Sequence, residues 1–151
     1  MITYYTKEGK FKTNDCFDVS SLELHRENGP AYLDDTALEE WRINGKLHRE
    51  NGPAIIYYYK KCAEEWWVKG KRHRTNGPAV ILSSTSKEWW VNGKRHRVDG
   101  PAIVRLNNKI YYYYLNGNKL DTKKIDNWIK ENNINLKRKE HQVLFLLKFG
   151  W

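Results

Sequence analysis

The sequence has little cysteine, little proline and no long apolar run. Its 151 residues hold two cysteines, Cys16 and Cys62, in no Cys-x-x-Cys or Cys/His arrangement. That is too few for a disulfide framework, so the expectation is two free thiols in a reducing compartment. The longest apolar stretches, such as Val143 to Leu147, fall far short of the ~20 residues a bilayer crossing needs. The N-terminus lacks the basic-then-apolar layout of a secretory signal, which makes a cytosolic location the expectation. No Gly-x-Ser-x-Gly, His-Glu-x-x-His, Ser/His/Asp or phosphate-binding glycine loop occurs, so the reading is non-enzymatic, with no cofactor.

What is present is aromatic and basic. Seven Trp and ten Tyr accompany 27 Lys and Arg against 18 Asp and Glu, a formal charge of +9. With 40% hydrophobic and 30% charged residues the chain is neither a disordered tail nor a membrane span. Its length suits one domain.

The four prolines are the key to its organisation. Each lies in a Gly-Pro-Ala triplet, at Gly29-Pro30-Ala31, Gly52-Pro53-Ala54, Gly77-Pro78-Ala79 and Gly100-Pro101-Ala102. Each triplet follows a His-Arg pair, at His25, His48, His73 and His96, spaced by 23, 25 and 23 residues. Turn glycines Gly45, Gly70 and Gly93 precede the last three pairs, and Gly117 closes the series. Repetition of this kind predicts stacked supersecondary units. Runs such as Ala54-Ile55-Ile56-Tyr57-Tyr58-Tyr59 and Glu65-Trp66-Trp67-Val68 are β-branched and aromatic, with polar turns between them. Each unit therefore reads as a β-hairpin of two strands of about seven residues. The units continue as a mainly β, elongated antiparallel meander.

Period-two alternation sorts the second strand of each unit into two faces. One face carries Trp41/Ile43, Trp66/Val68, Trp89/Val91 and Tyr113/Leu115, and is apolar. The other carries Glu40/Arg42, Glu65/Trp67, Glu88/Trp90 and Tyr112/Tyr114. Trp67, Trp90, Tyr112 and Tyr114 form an aromatic ladder that either stabilises the sheet or, left wet, binds a protein partner. The loop edge gathers Lys46, His48, Arg49; Lys71, Arg72, His73, Arg74; and Lys94, Arg95, His96, Arg97. It is either a solvated edge or an anion track for lipid headgroups or nucleic acid. Nucleic acid is the weaker expectation, because stacking rings belong to the face and the charge to the edge. One histidine per unit, ~10 Å from the next, cannot build a zinc site, so no metal is expected. Each imidazole is expected to bond within its own loop, with the arginines pairing to Glu27, Glu50 or Asp99.

Trp90-Val91-Asn92-Gly93-Lys94-Arg95-His96 resembles the core of MORN repeats, units of about 23 residues. The resemblance covers residues 24–120, and Tyr4-Tyr5-Thr6-Lys7-Glu8-Gly9 resembles a degenerate further copy within residues 1–23. Arg stands after His where the family usually has Gly, as in divergent HR-x-x-GPA arrays of bacteria and large DNA viruses. The resemblance implies a curved meander of hairpins and a scaffolding role: protein–protein contact, self-association as a homodimer, and in some members attachment to anionic membranes. If the source is viral, the location implied is the host cytoplasm.

Residues 121–151 break the pattern. Asp121 and Thr122 suit a helix start, and Ile125, Trp128 and Ile129 share a helical face that Asn132-Asn133 should end. A second helix is expected over residues 136–149, with Val143, Leu144, Leu146 and Leu147 as its apolar side. The pair reads as a C-terminal cap on the last hairpin, or as a partner- or membrane-docking element.

Overall fold

A computed structural model describes residues 1–13, 22–35, 38–59 and 63–150. Both cysteines lie outside these residues. The chain opens with the hairpin β1 (Ile2–Thr6) and β2 (Gly9–Thr13). Four units follow, each contributing four strands. The first holds β3 (Tyr32–Asp34), β4 (Leu38–Glu40), β5 (Arg42–Ile43) and β6 (Lys46–Leu47). The second holds β7 (Ile55–Tyr57), β8 (Ala63–Glu65), β9 (Trp67–Val68) and β10 (Lys71–Arg72). The third holds β11 (Val80–Ser83), β12 (Ser86–Glu88), β13 (Trp90–Val91) and β14 (Lys94–Arg95). The fourth holds β15 (Ile103–Arg105), β16 (Ile110–Tyr112), β17 (Tyr114–Leu115) and β18 (Asn118–Lys119).

The first two strands of every unit join one ten-stranded antiparallel meander in the order β16-β15-β12-β11-β8-β7-β4-β3-β1-β2. The last two form a separate two-stranded hairpin. The expected seven-residue strand is thus broken in two. The break falls at Trp41, Trp66, Trp89 and Tyr113, between the long-sheet strand and the short one. Trp66 N–H donates to Ala79 C=O at 2.7 Å in the next unit, while its own C=O accepts from His73 N–H at 3.0 Å. The residue therefore serves both hydrogen-bonded layers. The short hairpins also bond to one another, for example Arg74 N–H to Trp90 C=O at 3.0 Å and Gly93 N–H to Arg72 C=O at 2.9 Å. Tyr5 takes the same corner position in the opening hairpin, donating to Ala31 C=O and accepting from His25 N–H.

The meander has a continuous row across it on one face. Paired neighbours place Tyr4, Tyr32, Glu40, Ile55, Glu65, Val80, Glu88, Ile103 and Tyr112 side by side. Ile55, Val80 and Ile103 are buried, and the Gly-Pro-Ala alanines Ala31, Ala54, Ala79 and Ala102 are sealed completely. Burial of these aliphatic side chains and the backbone ladders hold the stack together.

The tail forms α1 (Thr122–Glu131) and α2 (Lys139–Phe149). Asp121 caps α1 by accepting from Lys124 N–H at 3.1 Å. Ile125, Leu136 and Phe145 close over Tyr113 and Leu115, with Trp128 and Phe149 packed alongside. The helices thus cover the last unit's apolar face. The inward side of α2 differs from the expectation. Phe145 is fully buried, whereas Val143, Leu144, Leu146 and Leu147 are exposed, Leu147 by 60%. Phe145 and Phe149, one turn apart, are the α2 side chains packed into the cluster at Tyr113 and Leu115. Those two rings fill the space beside Trp128 and Tyr113 at 5.3 to 6.3 Å. Arg138 at the start of α2 pairs with Glu140 at 2.5 Å, an acid in the first turn where the helix dipole favours it.

Candidate interaction surface

The His-Arg pairs are structural fasteners. The turn residues Asn44, Lys69, Asn92 and Asn116 have φ near +50°, and each turn ends in a positive-φ glycine. That geometry points each turn amide outward, toward the preceding unit. His25, His48, His73 and His96 accept those four amides on Nδ1, each at 3.1 Å. The expected bond within the same loop is therefore a bond between loops. The arginines turn the other way and lie flat on the corner aromatics. Arg49, Arg74 and Arg97 sit 3.7 Å over Trp41, Trp66 and Trp89, and Arg26 sits 4.0 Å over Tyr5. Each also donates to the proline carbonyl four residues on, Pro30, Pro53, Pro78 or Pro101. Among the described residues Arg97 is the one of the four with an ion pair, to Asp99 at 2.6 Å. Glu27 and Glu50 do not pair with Arg26 or Arg49. Guanidinium stacking on the indole takes those arginines along the corner instead.

On the other face the aromatic ladder is interleaved with a second set of arginines. Trp67 Nε1–H donates to Glu65 at 2.9 Å, and Arg72 reaches the same carboxylate at 3.0 Å. Trp90 Nε1–H and Arg95 repeat this on Glu88, at 3.1 and 3.3 Å. Arg105 adds a contact to Glu88 at 3.7 Å, so this 8%-exposed carboxylate is fully partnered. Arg72 lies 5.1 Å from the Trp67 ring and 5.3 Å from Trp90. Arg95 lies 4.7 Å from Trp90 and 5.5 Å from Tyr114. The result is a ladder of Trp67, Arg72, Trp90, Arg95 and Tyr114 in alternation, each half-buried. Tyr112 stands in the place of Glu65 and Glu88, and Lys119 covers its ring at 4.0 Å.

The sequence-level candidates therefore divide. His48, His73, His96, Arg49, Arg74 and Arg97 fasten units together. Arg72 and Arg95 are held by Glu65 and Glu88. Lys46, Lys71 and Lys94 are exposed and form no ion pair among the described residues. A groove of about 420 Å³ joins Lys71 and Lys94 to the ladder, lined also by Trp67, Arg72 and Trp90. Ring face and basic edge, expected to lie apart, meet there. The Glu-x-Trp-x4-Arg spacing of residues 65, 67, 72 and 88, 90, 95 carried this signal, and alternation by itself did not expose it.

Among the described residues no three His, Cys, Asp or Glu side chains converge on a point that could hold a metal, and no helix is long and apolar enough to cross a membrane. No family model, no curated protein and no solved structure matches the chain.

Proposed function

We propose that the protein is a non-enzymatic scaffold that binds a protein partner along the Trp67–Trp90–Tyr114 ladder and its lysine edge. The observation that carries this reading is the groove between Trp67 and Trp90, where half-exposed rings and unpaired ammonium groups share one concavity. Trp, Tyr and Arg side chains held on rigid elements, as in this ladder, are the composition of binding hot spots. The MORN-like repeat pattern over residues 24–120 supports the same reading, since such arrays are scaffolds.

Affinity capture from the native cell tests it, with the intact chain compared with Lys71→Glu/Lys94→Glu and with Trp90→Ser. The expected result is a defined set of proteins held by the intact chain and lost by both variants at unchanged melting temperature. Retention of the same set by both variants would overturn the reading. The second reading, binding of anionic lipid headgroups or nucleic acid, is favoured by the unpaired lysines alone. It predicts salt-sensitive binding to phosphoinositide vesicles or oligonucleotides that does not depend on Trp90.

A further inference from the structure

The lysine edge has a fixed period and two ends. The stem of Lys46 lies against Gly70, that of Lys71 against Gly93 and that of Lys94 against Gly117, each where a methyl on the glycine would stand 3.6 Å away. Each lysine is thereby laid along the next unit's turn instead of swinging free. The same position one unit earlier is taken by Glu23, whose side chain lies against Gly45. One unit later the corresponding residue is Asn118, after which the helices begin. The row therefore reads acid, lysine, lysine, lysine, amide. Two strands per unit put successive lysines ~9.6 Å apart, and the three span ~19 Å.

Resting on the scaffold reading, we infer that this rail binds an acidic segment of a partner protein in polyproline II conformation, whose carboxylates recur every third residue. A polyproline II chain has three residues per turn and rises ~3.1 Å per residue, so acidic residues at i, i+3 and i+6 share one side, ~9.3 Å apart, and match Lys46, Lys71 and Lys94. Acids at every second residue, ~6.2 Å apart, turn to different sides of that helix and fall out of step after one pair. Glu23, which pairs with Lys7 at 3.9 Å, offers no free cation beyond Lys46, and Asn118 offers no charge beyond Lys94. A nucleic acid, charged at every nucleotide, gains its affinity from many successive phosphates and needs a longer unbroken basic track. The groove between Lys71 and Lys94, floored by Trp67 and Trp90, accepts an apolar or aromatic side chain between the second and third acid.

The test is fluorescence anisotropy with the full chain and labelled seven-residue peptides. One peptide carries Glu at the first, fourth and seventh positions with Ala-Tyr between, and the other has the same composition with its three Glu adjacent. The spaced peptide should bind about tenfold tighter, equivalent to ~1.4 kcal/mol. Lys71→Glu should remove that advantage, and a spaced peptide with Lys at its fourth position should recover it on the variant. Equal binding of the two peptides, with Lys71 dependence kept, overturns the spacing inference and leaves the scaffold reading standing. Oligothymidylate or phosphoinositide vesicles bound more tightly than either peptide, with the same Lys71 dependence, overturn the inference in favour of an anion track. Capture of partners by the Lys71→Glu/Lys94→Glu variant but not by Trp90→Ser would place the contact on the ladder alone and also overturn it.

Discussion

His73 accepts the backbone amide of Asn92, 19 residues on, at 3.1 Å through Nδ1. The bond spans two units, and His25, His48 and His96 repeat it with Asn44, Lys69 and Asn116. At His48 and His96 the turn amide is the partner of Nδ1, which places the ring proton on Nε2. Long-range nitrogen–proton NMR correlation should find both in that tautomer. His73→Ala should lower stability by ~1 kcal/mol or more, since the Asn92 amide loses its partner. An Nδ1-protonated population at His48 or His96 would contradict the geometry.

Arg74 and Arg97 occupy equivalent places, yet only one is fully bonded. Arg97 Nε donates to Asp99 at 2.6 Å, while Arg74 Nε is buried without a hydrogen-bond partner. The residue two beyond Arg74 is Asn76 where the other unit has Asp99. Asn76→Asp should complete the pair and raise stability by ~1 kcal/mol, read as a higher denaturant midpoint at constant slope.

The two sides of α2 should respond oppositely. Phe145→Ala empties a fully buried ring site against Tyr113 and Trp128 and should cost ~3–5 kcal/mol. Leu147→Ser, on the outward side, should stay within ~0.5 kcal/mol in chemical denaturation.

Asp99 links the last unit to the cap. Burial alone would raise its pKa, but Arg97 and the Lys137 ammonium at 2.8 Å outweigh this and hold it at about 2. A carboxyl depressed from its usual ~3.9 stabilises the fold above that value and loses the contribution as pH falls through the folded value. Thermal melts should therefore drop between about pH 4 and pH 2, and Asp99→Asn should flatten that portion of the profile while lowering the melt at neutral pH.

Much of this architecture is written in spacing. The His-Arg and Gly-Pro-Ala periods locate every unit, and the alternation about Trp66-Trp67 separates the corner-facing residue from the ladder residue correctly. The corner itself is not legible, because β propensity is the same on both sides of Trp66. What divides the run is where its amide and carbonyl find partners, Ala79 and His73, both distant in the chain. The outward side of α2 is hidden for a related reason. Val143, Leu144, Phe145, Leu146, Leu147 and Phe149 make the helix apolar all round, so periodicity names no inward side. The shape of the surface at Tyr113 and Leu115 selects the two rings. The bond of His73 to the next loop escaped local reasoning because its partner is a turn amide, which every loop possesses.

The corner, the fastening histidine and the stacked arginine recur with equivalent partners in the second and third units, so those two are interchangeable in these contacts. Excision of residues 73–95, one full period from His73 to the residue before His96, joins Arg72 directly to His96. The new junction offers the same acceptor and the same stacking pair as the old one. Array length is thus a quantity that can change by whole periods while both ends stay as they are. The reach of the lysine edge changes with it, in steps of about one nanometre.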